Sequence, residues 1–231
     1  MKWVIVMFTS AGRKLKNQYR KDGPMKFYLS SNRLGNQTEL LKSLIPQKKI
    51  GYIPNALDFS NPDLKKIKSH IVRDMDDLKE IGLTVDFLNL QEYFNKQEEL
   101  KKILDKLGAI FISGGNTFIL RQAMKLSGLD LILKEKWDQK ESFLYAGYSA
   151  AGCVLSPSLT PYQIVDDPSE TPYQDIKETL WEGLNFIDFA FMPHFNSDHE
   201  ESDGIKREIE YCKKNNLPYK TLADGEVLII K

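Results

Sequence analysis

The order of apolar runs predicts a doubly wound α/β fold, a mostly parallel sheet with helices on both faces in three α/β/α layers. Three observations carry that expectation. Short β-type runs alternate with helix-length amphipathic stretches, as in βαβ units. Runs such as Ala109-Ile110-Phe111-Ile112 are apolar at every position, which suits strands covered on both sides. Two glycine turns, Gly114-Gly115 and Gly147 to Gly152, follow such runs, where a parallel sheet places its ligand site.

In chain order, Lys26–Ser30 reads as the first strand, and Thr38–Leu44 as a helix stopped by Pro46. Lys49–Ile53 is the next strand, closed by Pro54. Asn61-Pro62-Asp63 opens a long helix with Leu64, Ile67, Ile71, Met75 and Leu78 on one face, ended by Gly82. Thr84–Leu90 reads as a strand, and Gln97–Leu107 as a helix with Leu100, Ile103, Leu104 and Leu107 at helical spacing. Ala109–Ser113 is a strand, and a helical stretch follows Gly114-Gly115-Asn116-Thr117. The helix Leu129–Lys140 leads into the apolar run at Phe143. Four prolines between 157 and 172 mark a loop-rich segment. Phe186–Met192 returns to a strand, and Ser202–Asn216 is an amphipathic helix. Tyr219–Leu222 and Glu226–Ile230 read as a closing hairpin around Ala223-Asp224-Gly225.

Bulk composition narrows the classes. The 231 residues suffice for one sizeable domain, and 42% hydrophobic with 28% charged side chains is ordinary for a globular protein. Basic and acidic residues balance at 32 each, but residues 1–24 hold six basic side chains against Asp22 alone. That leaves 26 basic and 31 acidic side chains in residues 25–231, without the positive field of a non-specific nucleic-acid binder. No apolar run reaches the roughly 18–20 residues of a membrane span. The basic stretch 1–24, ending in Gly23-Pro24, is expected to be an N-terminal extension outside the fold, with 25–231 as one domain. Cys153 and Cys212 form no CxxC pair, so neither a disulfide framework nor a zinc-thiolate site is expected. A cytoplasmic protein, monomeric or homodimeric, with no nucleic-acid or membrane partner, is the expectation.

The chemistry centres on Phe143-Leu144-Tyr145-Ala146-Gly147-Tyr148-Ser149-Ala150-Ala151-Gly152. An apolar strand, a glycine, an isolated serine and small residues opening a helix compose a nucleophile elbow, in which a tight turn exposes the serine Oγ. Such a serine needs a base and an acid to hold it. Of the three histidines, His70 lies off the apolar stripe of its helix and reads as a surface residue. His199 falls in a polar run that by default is a solvated loop. His194 follows an apolar strand and Pro193, which puts it at the sheet's carboxyl edge and makes it the base candidate.

In this order and spacing, Gly114-Gly115-Asn116-Thr117, Gly147-Tyr148-Ser149-Ala150-Ala151-Gly152 and Pro193-His194-Phe195 closely resemble the dipeptidase E (aspartyl dipeptidase) family of serine peptidases. That family has the class I glutamine-amidotransferase-like fold, and cyanophycinases are its relatives. The resemblance runs from Met25 to the end, through Val165-Asp166-Asp167-Pro168 and Leu222-Ala223-Asp224-Gly225. It implies Ser149 as nucleophile, His194 as general base, an oxyanion hole from the N–H groups of Gly115 and Ala150, and no cofactor. It implies short peptide substrates with an N-terminal aspartate, hydrolysed by a serine exopeptidase. Asp166 matches the acid usually assigned in the dipeptidase E family, and Asp224 the acid that cyanophycinase-like members place beside the histidine. Asp166 ranks first by motif, Asp224 is the rival, and the adjacent Asp167 stays open. Asn116 is assigned to substrate or to the turn itself, and Arg207 to the substrate carboxylate, for which arginine offers bidentate pairing.

One departure from the family pattern stands in the elbow, where Ala151 replaces the second glycine and Gly152 is displaced by one. Two other function classes fit less of the sequence. A metal-dependent hydrolase using His194, Asp198, His199 and Glu200 lacks the i, i+4 histidine pair of a helical zinc site and a third anchor, so no metal is assigned. A non-catalytic binding member of the fold has only Ala151 in its support, and an isopeptide hydrolase of the cyanophycinase type is the nearer alternative.

Overall fold

A computed structural model describes residues 5–8 and 25–231. The elements in chain order are β1 (Ile5–Phe8), β2 (Met25–Ser30), α1 (Thr38–Leu44), β3 (Lys49–Ile53), α2 (Leu64–Glu80), β4 (Thr84–Phe87), α3 (Gln97–Leu107) and β5 (Ala109–Ile112). There follow α4 (Thr117–Ser127), α5 (Leu129–Asp138), β6 (Phe143–Tyr148), α6 (Ala150–Cys153), β7 (Ala190–Met192), α7 (Ser202–Lys214), β8 (Tyr219–Thr221) and β9 (Val227–Ile230). Seven strands form one sheet in the order β1-β9-β2-β6-β5-β3-β4, in which only β9 runs against its neighbours.

Period-two alternation splits the strands between two cores. Phe27, Leu29, Ile110, Ile112, Tyr145 and Leu228 pack with the inner faces of α3, α4, α5 and α7. Tyr28, Phe111, Leu144, Ala146, Tyr148 and Ile229 point the other way, onto Leu41 of α1 and Leu78 of α2. The sheet is therefore the middle layer of three, and burial on both faces is why its strands read as unbroken apolar runs. Side-chain caps fix where two of the helices begin. Asp63 accepts from Lys65 N (3.1 Å) and Lys66 N (3.0 Å) at α2, and Asn116 accepts from Phe118 N (2.8 Å) and Ile119 N (3.0 Å) at α4.

The expected hairpin over 219–230 does not form. β8 pairs in parallel with β7 as a separate two-stranded ribbon, whereas β9 inserts between β1 and β2. The Ala223-Asp224-Gly225 turn thus passes the chain from one sheet to the other, held by Glu226 N to Ala223 O (2.9 Å). Two strands are also shorter than their apolar runs. β4 stops at Phe87 because Asn55 Oδ1 takes Leu90 N–H (2.8 Å) and Asn89 caps Gln91 N (3.0 Å), turning the chain into a short 3₁₀ segment. The run from Phe186 becomes strand only at Ala190, since Phe186 N and Ile187 N bond back to Leu155 O.

Within the stretch expected to lie outside the fold, Ile5–Phe8 pairs antiparallel with Val227–Ile230 and adds an edge strand, because β9 otherwise leaves one ladder face open. The remainder of residues 1–24 lies outside the described residues. Among the described residues no helix is long and apolar enough to cross a membrane.

Candidate active site

β5 and β6 are parallel neighbours, with Ile112 opposite Gly147, so both glycine turns leave the sheet side by side at its carboxyl edge. Ser149 sits between β6 and α6 at φ 49°, ψ −111°. That is a sparsely populated conformation for a residue with a side chain, the strained turn expected of a nucleophile elbow. Gly115, at φ 137°, is irreplaceable on space alone, since a Cβ there would lie 2.4 Å from Ala56 O. Among the described residues, neither Gly115 N–H nor Ala150 N–H donates to a protein acceptor. Gly114 has to be bare as well, because a Cβ would meet the Tyr148 ring at 2.6 Å and Ser149 Cβ at 3.3 Å.

The elbow's departure from the expected glycine pattern has a steric explanation. A Cβ on Gly147 would fall 2.5 Å from the Ala151 methyl, so the bare α-carbon of Gly147 leaves the space that methyl fills. Gly152 is needed for a different contact, since a Cβ there would lie 2.4 Å from the Phe191 ring of β7. Tyr145 Oη donates to Ala151 O (2.8 Å) and ties the short helix back to its own strand.

His194 follows β7 with φ 56° and is almost fully buried. Its Nδ1 hydrogen-bonds Asp224 Oδ1 at 2.7 Å. Asp224 also accepts from Ser31 Oγ (2.8 Å) and Asn32 Nδ2 (3.2 Å) at the end of β2. The Ser31 hydroxyl in turn accepts from His194 N–H (2.8 Å), so one serine clasps the histidine backbone and its carboxylate partner together. Burial pushes the Asp224 carboxyl up, but the bonds from His194, Ser31 and Asn32 and the histidine's charge outweigh it and hold the group below its ordinary value. His194 Nε2 is turned toward Glu201 Oε2, 3.8 Å away. Among the described residues no hydrogen bond joins it to Ser149 Oγ.

Asp166, ranked first by motif, has a different neighbourhood. Its Oδ2 accepts from Thr117 N–H (2.8 Å), and its carboxyl group enters a narrow pocket shared with Ser149, Cys153, Glu201 and Glu208. Burial lifts its pKa to about 7, against the lowering bonds from Thr117. Burial, then the charges of Asp166 and Glu201, lift Glu208 to about 9 against a weak lowering contact from the Val165 backbone, and among the described residues neither carboxyl oxygen has a hydrogen bond of normal geometry. Asp167 accepts from Ser169 N (2.8 Å) as a turn residue, and its charged form is favoured by the Ser169 side-chain and backbone bonds. The structure thus brings Asp224, and neither Asp166 nor Asp167, to the imidazole.

Asn116 is a helix cap whose Nδ2 also donates to Asp167 O (3.0 Å), so its side chain holds the turn. Arg207 stands on the exposed face of α7, outside the pocket beside Ser149.

Three residues acquire roles that sequence reasoning missed. Ser31 carried one weak signal, a Ser-Ser-Asn run closing an expected strand. His199, read as solvated, stacks on His194 with ring centroids 3.7 Å apart and planes at 8°. Positive φ at His194 and Asn196 curls the loop back to make that contact. His70 is not a surface residue. It is half-buried, its Nε2 hydrogen-bonds the Tyr148 hydroxyl, and burial lowers its pKa. The reason lies one turn on, where buried Asp74 accepts from Tyr148 Oη (2.7 Å) and Tyr52 Oη (3.0 Å) and so draws this face of α2 onto the sheet.

Comparison with known proteins gives the family and the fold. The family model of peptidase family S51 matches residues 29–231. An uncharacterized peptidase of Listeria monocytogenes is 29% identical over 180 residues, covering 76% of this chain and 80% of its own. A protein of Streptomyces coelicolor named peptidase E is 28% identical over 136 residues, covering 55% of this chain and 51% of its own. A crystal structure described as a putative peptidase E from Listeria monocytogenes superposes with a TM-score of 0.68 at 21% identity, covering 89% of this chain and 94% of that one, a likeness of fold.

Proposed function

The chain belongs to peptidase family S51, and from that premise we propose that it is a serine exopeptidase hydrolysing dipeptides with an N-terminal aspartate through an acyl-enzyme. The observation that carries the mechanism is the 2.7 Å bond between His194 Nδ1 and Asp224 Oδ1, taken with the positive φ of Ser149. With Nδ1–H donated to Asp224, the free lone pair of the imidazole is on Nε2, the nitrogen a base must present.

In the proposed reaction, Nε2 takes the Ser149 Oγ proton as Oγ attacks the peptide carbonyl. Asp224 stabilises the imidazolium so formed. The N–H groups of Gly115 and Ala150 receive the developing oxyanion, each such donor contributing on the order of 3 kcal/mol to the transition state. Nε2–H then protonates the leaving amine, and water delivered through the same nitrogen releases the aspartate. Contact between Oγ and Nε2 forms as substrate seats, consistent with the loose catalytic hydrogen bonds of free enzymes.

The N-terminal aspartate rests on the family likeness. A panel of Asp-X, Glu-X and β-aspartyl dipeptides, run against wild type and Ser149→Ala, tests both halves. Release of free aspartate from Asp-X by wild type alone is the expected result. Turnover that persists in Ser149→Ala overturns the mechanism, and β-aspartyl cleavage without Asp-X cleavage overturns the substrate.

A further inference from the structure

The base nitrogen has two metal-ligating neighbours. One ligand atom from each of His194, His199 and Glu201 lies within 4.8 Å of the others, and Nε2 of His194 is 3.8 Å from Glu201 Oε2. Ligands bound at about 2.0–2.2 Å around a tetrahedral zinc are separated by roughly 3.3 Å. The group is therefore within about 1.5 Å of closing on one ion, and Glu201 and His199 are both only half-buried. His194 already has the support of a zinc-binding histidine, with Nδ1–H donated to a carboxylate that fixes the ring and raises the basicity of Nε2. Nδ1 of His199 accepts from Glu201 N–H at 3.2 Å, so an unprotonated nitrogen is available at the cost of one long hydrogen bond. The His199 ring lies parallel to that of His194, so binding one ion requires it to tilt out of the stack until its lone pair converges with that of Nε2. The Asp166 carboxyl adds to the negative field around Glu201.

We propose that His194, His199 and Glu201 form an inhibitory site for a divalent transition-metal ion of the zinc class. Two imidazoles and one carboxylate suit such an ion and do not suit magnesium or calcium, which prefer all-oxygen shells. Because the ion takes the lone pair that the base uses, metal occupancy and proton abstraction from Ser149 exclude each other. The inhibitory consequence rests on His194 being the base, whereas binding itself does not.

The two are separated by measuring zinc binding on Ser149→Ala, which keeps all three ligands and needs no activity. Calorimetric titration with zinc chloride at pH 7.5 is expected to give one ion per chain. His199→Ala and Glu201→Gln, each verified as folded by circular dichroism, are expected to weaken that binding at least about tenfold. Zinc should inhibit wild type over the same concentration range, EDTA should restore the rate, and both variants should resist zinc relative to their own metal-free rates. Absence of a stoichiometric site in Ser149→Ala, or binding unchanged in both variants, overturns the site. Binding that both variants weaken, without inhibition of wild type, overturns the inhibitory role while leaving the ligand set.

Discussion

Two aspartates, Asp224 and Asp166, compete on paper for the same partner, and the fold gives them opposite environments. Asp224 sits in the turn that carries the chain between sheets, where a histidine, a serine and an asparagine all donate to its oxygens. Those donors keep it charged below the ordinary carboxylate range. Asp166 enters a narrow pocket beside Glu201 and Glu208, receives one backbone N–H and titrates near 7. An acid that stabilises an imidazolium has to stay ionised while the base takes its proton, and of the two only Asp224 meets that condition across the neutral range. Motif position picked out both residues, and what separates them is the deeper burial of Asp166 and the number of donors that Asp224 reaches.

The sharpest way to break the comparison starts from its common element. Ser149→Ala should lower kcat/KM on the best dipeptide by about 10⁴-fold or more relative to unlabelled wild type, and should lose fluorophosphonate labelling. Next, Asp224→Asn should lower kcat about 10²–10⁴-fold with folding intact, because an amide orients the imidazole in the wrong tautomer. Asp166→Asn, which retains an acceptor for Thr117 N–H, should cost less than about tenfold. Equal losses from the two aspartate variants would dissolve the distinction.

A smaller effect concerns stability. Glu208 titrates near 4.5 when exposed and near 9 in the fold, so between those values the folded state holds a proton that the unfolded chain has released. Stability is therefore lost as pH rises through this window, and Asp166 contributes in the same direction between about 4 and about 7. Glu208→Gln should flatten the fall in Tm between pH 5 and pH 9, as read by scanning calorimetry. A Tm profile as steep as wild type would remove Glu208 as its source. Ala151→Gly should have the smallest consequence, about 1 kcal/mol or less in urea unfolding, since it trades a methyl for backbone freedom at a helix start.

Much of the architecture was legible because burial on both faces leaves a plain signature, an apolar run bounded by a turn. The strand–turn–helix around Ser149 was legible for a related reason, since Gly147 has no room for a side chain and small residues follow it. The closing strands were misread as a hairpin because a short turn between two apolar runs looks alike whether its strands pair or part. Ser31 and His199 stayed hidden because their contacts cross 163 and 5 residues respectively and depend on loop curvature that has no periodicity. Asp74 was hidden by the stripe of apolar residues around it, and with it the reason for burying His70.

The filled space between Gly147 and Ala151 constrains the order in which this elbow can change. Glycine at 151 would reopen the space and harm little, so that position is free to drift back. Gly147 has no such freedom, because a side chain there would still collide with the backbone of Ile112 at 2.5 Å after the methyl was gone. A methyl is therefore accommodated at 151 only while 147 stays glycine.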